Sequence, residues 1–101
     1  MTNVLASVID SLTLTNADQE YTYTLPANCA GYSLQCRTGV DIRIGTVTGK
    51  VAGPTDPYLT LKAGEAYNSP ERAVFQAGTT LYFASSTAGA VVEIIYHTQI
   101  A

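Results

Sequence analysis

The chain from residue 20 to residue 45 reads EYTYTLPANCAGYSLQCRTGVDIRIG and contains three segments in which apolar and polar residues alternate. The segments are residues 21–25, 32–37 and 40–44. A period of two with β-branched and aromatic residues is typical of strands that have one face on a core and the other in water. Turn-forming residues at 26–28 and 38–39 separate them. We therefore expect three consecutive strands of a meander, with the rest of the chain completing a β-sandwich around it.

Outside this stretch, alternation at residues 12–15 and segments rich in apolar residues at 58–62, 79–84 and 91–98 predict four more strands. The two glycines and two prolines between residues 49 and 57 predict a loop, because proline lacks the amide donor that a central strand needs. Pro70 opens a segment compatible with one helical turn. The chain of 101 residues is predicted to be all-β, with a single-domain antiparallel β-sandwich of jelly-roll-like architecture at residues 12–101.

Residues 1–11 are interpreted as an N-terminal arm. Val4, Leu5, Val8 and Ile9 are apolar but show neither strand alternation nor a helix cap, and their i, i+4 spacing allows one or two helical turns. Two interpretations stay open: an arm that docks on a neighbouring subunit, and a frayed chain end. If the arm docks, removing it should leave the fold intact and weaken attachment to the partner.

The last two strands, at 79–84 and 91–98, are predicted to form a hairpin through a turn at 85–89, and both faces of each are apolar. Val92 and Ile94 lie on one face of the last strand, and Val91 and Ile95 lie on the other. A strand of a two-sheet sandwich normally has one wet face, so an apolar outer face indicates a cover, either a folded-back loop or an identical subunit. We favour a homo-oligomer, and a trimer over a dimer. Ile94→Asp should then unfold the domain, whereas Ile95→Asp should break the oligomer.

Composition argues against several classes of partner. The five basic residues are scattered and the net charge is −3, so there is no cluster to bind nucleic acid. No apolar run approaches the roughly 18–20 residues of a membrane helix, and the first 11 residues lack the features of a signal peptide. Cys29 and Cys36 would lie roughly 23 Å apart on opposite faces of one strand. This separation predicts two free thiols, consistent with a reducing compartment.

The residues that could carry chemistry form no recognisable catalytic set. His97 is the only histidine; it lies about 13 Å along its strand from Glu93, and no Gly-x-Ser-x-Gly motif presents a serine. Asp18 and Glu20 share a parity, but a calcium site would need ligands from a neighbouring loop. We expect no catalytic residue, no metal and no cofactor.

Asp41 and Arg43 are neighbours on one wet strand face. We expect them to form an exposed ion pair worth less than about 1 kcal/mol.

Seven tyrosines and no tryptophan raise the possibility of carbohydrate binding, since sugar-binding sandwiches stack sugar rings on exposed aromatic side chains. Four lie on the inward parity of their strands and are assigned to the core: Tyr21, Tyr23, Tyr32 and Tyr96. Three are candidates for exposure: Tyr58, Tyr67 and Tyr82. Tyrosine is also enriched in protein interfaces, and we favour an interface for these three. A lectin-like site around the loop at 49–57 is the alternative.

Three segments, in their order along most of the chain, resemble small virion structural proteins of tailed bacteriophages. They are a strand–Leu-Pro–strand opening at Leu25-Pro26, a Leu-x-Ala-Gly-Glu turn at 61–65, and a final segment from Leu81 to Ile94. The resemblance implies a capsid decoration or cement protein, or a small tail, neck or fibre component, without catalytic residues.

Such a protein would be assembled into the virion in the host bacterial cytoplasm, and its partner would be the major capsid protein or another virion subunit. The residues expected at its interfaces are Val4, Leu5, Val8, Tyr58, Tyr67, Tyr82, Val91 and Ile95.

Overall fold

The computed structural model of the chain describes residues 5–69 and 79–99. These residues form eight strands and no helix, arranged as two antiparallel four-stranded sheets. The strands are β1 (Leu5–Leu14), β2 (Tyr21–Leu25), β3 (Cys29–Cys36), β4 (Ile42–Gly45), β5 (Leu59–Leu61), β6 (Ala66–Asn68), β7 (Thr79–Ala84) and β8 (Ala90–Gln99). The predicted all-β sandwich is confirmed. Strand β6 is an addition to the prediction, and the helical turn predicted at Pro70 lies outside the described residues.

Consecutive strands, except β4 and β5, lie in different sheets. One sheet has the order β1-β8-β3-β6 and the other the order β2-β7-β4-β5. The predicted meander is therefore wrong, because β3 lies in one sheet while β2 and β4 lie in the other. The predicted final hairpin is wrong as well, since β7 and β8 are in different sheets and the turn at 85–89 crosses the sandwich. Side-chain alternation shows which face of a strand is buried, but it does not show which sheet the strand joins.

The first four strands pair with the last four in reverse order. β1 pairs with β8, β2 with β7, β3 with β6 and β4 with β5. Two further pairs, β3 with β8 and β4 with β7, join these ribbons into sheets. The edges of the two sheets are therefore β1 and β6 in one and β2 and β5 in the other.

The first strand is longer than predicted. It begins at Leu5 instead of Leu12 and pairs with β8 in one continuous register, from Leu5 opposite Gln99 to Leu14 opposite Ala90. Residues 5–11 do not form the helical turns that their spacing allows, and they belong to the sheet. The inward parity of Leu12 and Leu14 continues backward through Asp10, whose charge interrupts the apolar pattern and hides the strand in the sequence.

The core lies between the two sheets and consists of inward-facing aliphatic and aromatic side chains. The largest fully buried ones are Phe83, Leu14, Leu25, Leu34, Ile42, Leu81 and Ile94. Tyr21, Tyr23, Tyr32 and Tyr96 pack against this core as predicted, although each is partly exposed. Tyr67, expected on the surface, packs there too. In β8, Val92 and Ile94 are buried, which confirms the predicted inward parity of this strand.

The loop between β4 and β5 is held by Arg43. Its Nε donates to the Val51 carbonyl at 2.6 Å, and its guanidinium also bonds Asp18 at 2.7 Å. The side chain of Val51 is fully buried, so the loop contributes to the core. The predicted pair of Arg43 with Asp41 is wrong. Strand alternation places residues 41 and 43 on one face, but the turn at 16–20 brings Asp18 to the arginine instead.

Asp41 and Glu20 hold other turns. Asp41 accepts a hydrogen bond from the Ala63 backbone N–H at 2.8 Å and lies 3.6 Å from the Lys62 ammonium. Glu20 accepts hydrogen bonds from the Thr48 hydroxyl at 2.7 Å and the Gly49 backbone N–H at 2.8 Å.

Candidate functional site

The outer face of the β1-β8-β3-β6 sheet carries the residues that the sequence places on the second face of the last strand. Val91, Glu93, Ile95 and His97 alternate along β8 with the buried Val92 and Ile94, and all four are partly exposed. The two predicted interface residues of this strand, Val91 and Ile95, therefore lie on one surface. They are separated there by Glu93.

The polar groups of this face are bonded to each other. Glu93 accepts hydrogen bonds from Gln35 at 3.0 Å and from Arg37 at 2.9 Å. Gln35 lies in the neighbouring strand β3, and Arg37 directly follows that strand. These bonds lower the pKa of Glu93 and keep it charged. His97 shares a hydrogen bond of 3.0 Å with the Ser7 hydroxyl. Because the carboxylate is matched by one guanidinium, this part of the surface carries no net charge.

Ile9 is the most exposed large apolar residue in the described part of the chain. Its side chain is 79% exposed, and it lies directly opposite Ile95 in the β1–β8 ladder. Directly opposed residues have Cβ atoms about 5 Å apart, so the two isoleucines form one apolar ridge. Beside the ridge is a hollow of about 330 Å³, lined in part by Ser33, Ala66 and Asn68.

Sequence reasoning did not assign Ile9 to the interface, although a signal was present. Leu12 and Leu14 fix the inward parity of β1, and counting back from them places Ile9 on the outer face. Because residues 1–11 are interpreted as a separate arm, the alternation of the first strand is not extended back to Ile9.

The inner face of the same edge strand is only partly covered. Val8, a predicted interface residue, lies opposite Tyr96 and is 37% exposed. Next to it, Asp10 accepts a hydrogen bond from the Tyr23 hydroxyl at 2.9 Å, which ties β1 to the other sheet. Burial and the neighbouring carboxylate raise the pKa of Tyr23, so it stays a donor at neutral pH.

The three candidate tyrosines are not brought together. Tyr58 and Tyr67 line a cleft of about 250 Å³ with Tyr32, at the end of the sandwich where β5 begins and β6 ends. The ring centroids of Tyr32 and Tyr67 are 5.9 Å apart. Burial and the neighbouring Tyr67 hydroxyl raise the pKa of Tyr32 to about 12. Tyr82 lies in β7 opposite Thr22 and is not among the residues that line the cleft.

The remaining predicted interface residues are those of the chain start. Leu5 begins β1 at the edge of the sheet, and Val4 lies outside the described residues. The described members of the predicted set are thus divided among strands β1 and β8, the tyrosine cleft and the outer side of β7.

Cys29 and Cys36 have free thiols and stand at the two ends of β3. In residues 5–69 and 79–99, no three His, Cys, Asp or Glu side chains are grouped so that they could hold a metal ion. Asp18 and Glu20, the weak calcium candidates, bond to Arg43 and to the loop at 48–49 respectively. The same residues include no helix long and apolar enough to cross a membrane. Comparison with known proteins found no matching family model, curated protein or solved structure.

Proposed function

We propose that this protein is a non-enzymatic structural protein of a tailed-bacteriophage virion, a decoration or cement protein that binds the shell as a homo-oligomer. The observation that carries the proposal is the Ile9–Ile95 ridge, with Ile9 79% exposed on a surface whose charges are already paired. The virion partner is proposed from the sequence resemblance. The ridge supplies the protein-binding surface that such a role requires.

The composition of this surface supports protein binding. Stable interfaces have an apolar centre with few charges and a polar rim whose groups are hydrogen-bonded. Here the two isoleucines have the Ser7–His97 bond on one side and the Glu93–Gln35–Arg37 group on the other. A partner covering the ridge would bury apolar area without leaving an unpaired charge.

The strand order supports the finer architecture, a jelly roll. Two four-stranded sheets formed by pairing the first four strands with the last four in reverse order are what an eight-stranded double Greek key requires. Double-sheet jelly rolls include both viral capsid domains and lectins. The fold is therefore compatible with a virion role and with carbohydrate binding, and fold alone does not choose between them.

The proposal is tested by binding to shells of the major capsid protein. We expect wild-type protein to co-sediment with shells and Ile9→Asp to lose both self-association and shell binding, because a carboxylate would occupy the centre of the apolar contact. Val47→Asp is the matched control, since Val47 is also an exposed apolar residue, at 48%, but lies in the loop between β4 and β5. If Ile9→Asp binds shells as well as wild type does, the ridge is not the attachment surface.

The tyrosine cleft favours a second candidate function, carbohydrate binding. Tyr32, Tyr58 and Tyr67 surround one concave site with an apolar floor that includes Leu34 and Leu81. Aromatic walls with a few hydroxyl groups suit the apolar face and polar rim of a sugar ring.

Glycan binding by purified protein would test this candidate. Tyr58→Ala and Tyr67→Ala should abolish binding, and Tyr82→Ala, outside the cleft, should retain it. An absence of glycan binding by wild-type protein, or equal losses in all three variants, would count against the cleft.

A further inference from the structure

We infer that two copies of this chain associate by antiparallel pairing of their β1 edges, so that two four-stranded sheets become one sheet of eight strands. The inference rests on the proposed function and deepens it, since it names the self-association contact. It gives a two-fold dimer in place of the trimer favoured from the sequence.

β1 is the only long edge strand among the described residues. It has ten residues, whereas the other three sheet edges, β2, β5 and β6, have five, three and three. Proteins usually protect edges by shortness, proline, lysine or a bulge. Residues 5–14 contain neither proline nor lysine, and their register with β8 is uninterrupted. By length and composition, this edge is open to pairing with another strand.

The direction of the backbone groups along β1 follows from three hydrogen bonds. The Val91 carbonyl accepts from the Arg37 N–H, so Val91 bonds away from its partner Thr13. The Leu14 carbonyl accepts from Gly89, and the Ser11 N–H donates to the Asp10 side chain. Since neighbouring residues of an antiparallel strand bond to opposite sides, odd-numbered residues of β1 point their N–H and C=O groups at the free edge.

Asp10 limits the free edge to the first half of the strand. Its Oδ1 accepts from the Ser11 N–H at 2.8 Å, and its Oδ2 accepts from Tyr23. A charged side chain that occupies an edge donor is one of the ways to discourage pairing. The free backbone N–H and C=O groups of Ser7 and Ile9 lie on the N-terminal side of Asp10. They belong to residues 5–9, which carry no charged side chain.

Exposure on both faces of β1 points to the same half of the strand. Ile9 on the outer face and Val8 on the inner face are adjacent and both exposed, at 79% and 37%. A partner on the outer face alone would cover Ile9 and leave Val8 open. A strand added at the edge lies beside both faces and covers both side chains.

A second copy fits this edge for a general reason. In antiparallel pairing, the outward N–H and C=O of a residue meet the C=O and N–H of one residue on the partner, so an edge is complementary to itself across a two-fold axis. The neutral sequence of residues 5–9 brings no like charges together, even though each chain has a net charge of −3. Main-chain bonds supply affinity and the apolar side chains are buried, as in other strand additions.

The first test is amide hydrogen exchange on wild-type protein at low and high concentration. The N–H groups of Ser7 and Ile9 should gain protection as concentration rises, whereas the N–H of Val8, which faces β8, should be protected at both. Unchanged exchange at Ser7 and Ile9 in a sample that is dimeric by mass would overturn the inference.

Two variants separate the edge from the outer face. Ile9→Pro removes an edge donor without removing a bond to β8, and it should weaken dimerisation by on the order of a hundredfold because the change occurs twice per dimer. Ile95→Asp charges the outer face one strand away and should leave the dimer intact, contrary to the expectation from sequence alone. Loss of the dimer in Ile95→Asp with retention in Ile9→Pro would overturn the inference.

The two proposals fail in different ways. Wild-type protein that is monomeric at all concentrations yet binds shells overturns edge pairing and the homo-oligomer, and leaves only the shell-binding part of the proposed function standing. Protein that dimerises through β1 but binds no shell supports the edge contact as a property of the chain and rejects the cement role.

Discussion

At the scale of single residues, Arg43 shows how one side chain can organise a long loop. Its side chain is only 13% exposed, and its guanidinium bonds Asp18 as well as the carbonyls of Val51 and Ala52. Burial of a charged group is tolerated when it is paired and its donors are used. The loop is rich in glycine and proline, and Arg43 fixes it together with the buried Val51 side chain and the hydrogen bonds of Glu20 to Thr48 and Gly49.

Arg43→Met should therefore lower the free energy of unfolding by about 2 kcal/mol, since it removes charge-assisted hydrogen bonds and leaves the two carbonyls without this donor. Urea denaturation measures the change. Arg43→Lys is the control: it keeps the charge but loses the forked geometry, and it should recover only part of the loss. An unfolding free energy equal to that of wild type would show that the loop is held by Val51 and Glu20 alone.

The two thiols should differ in reactivity. Cys29 is buried, whereas Cys36 is partly exposed. Partial burial alone would raise the pKa of Cys36, but hydrogen bonds from the Thr38 hydroxyl and nearby backbone N–H groups outweigh it and lower the pKa.

Alkylation of native protein at neutral pH should modify Cys36 and spare Cys29, as read by mass spectrometry of the digested chain. Thr38→Val should slow the modification because it removes a donor to the thiolate. Faster modification of Cys29 would contradict the burial that the fold assigns to the start of β3.

At the scale of elements, β8 is the strand whose prediction matters most. Its alternation correctly identifies Val92 and Ile94 as core and Val91 and Ile95 as outward-facing. Its outer face carries apolar residues interrupted by Glu93 and His97, as the sequence indicates, and the structure adds that both polar side chains are hydrogen-bonded within the sheet. The sequence of β8 alone does not predict which residues lie opposite it, because its neighbours β1 and β3 are far from it along the chain.

The Glu93 group predicts a pH effect. The folded-state pKa of Glu93 lies below its ordinary value of 4.5, so its bonds to Gln35 and Arg37 stabilise the fold above that pH. The contribution is lost as the pH falls through the lowered folded-state pKa. Between pH 6 and about pH 3, the urea concentration at the unfolding midpoint should fall less for Glu93→Gln than for wild type. Equal losses in the two proteins would show that other carboxylates account for the acid sensitivity.

At the scale of the whole molecule, the sequence predicts the class of fold but not its connections. Alternation at 21–25, 32–37 and 40–44 identifies strands that the structure contains, because burial on one face is a local property of each strand. The assignment of strands to sheets depends on pairs such as β1 with β8, which join the two ends of the chain. For the same reason, the sequence predicts only part of the candidate surface. The alternation of β8 alone places Ile95 on the outer face, whereas the contact of Ile9 with it follows only from the pairing of β1 with β8.

The pairing of the chain ends changes what a truncation should do. Removing residues 1–11 deletes seven of the ten residues of β1, and with them the bonds that residues 5–11 make to β8. We expect a loss of at least about 2 kcal/mol in unfolding free energy, in contrast to the intact fold expected for a separate arm. Urea denaturation of the shortened chain measures it. Unchanged stability would mean that β8 needs no neighbour on that side.

The proposed dimer of this small sandwich forms through the exposed strand β1. Light scattering after size exclusion, over a range of concentrations, tests it most directly. Edge pairing predicts a mass that rises with concentration from 10.7 kDa toward about twice that value, and a constant monomer mass for Ile9→Asp. A wild-type mass that stays at the monomer value at every concentration would contradict it.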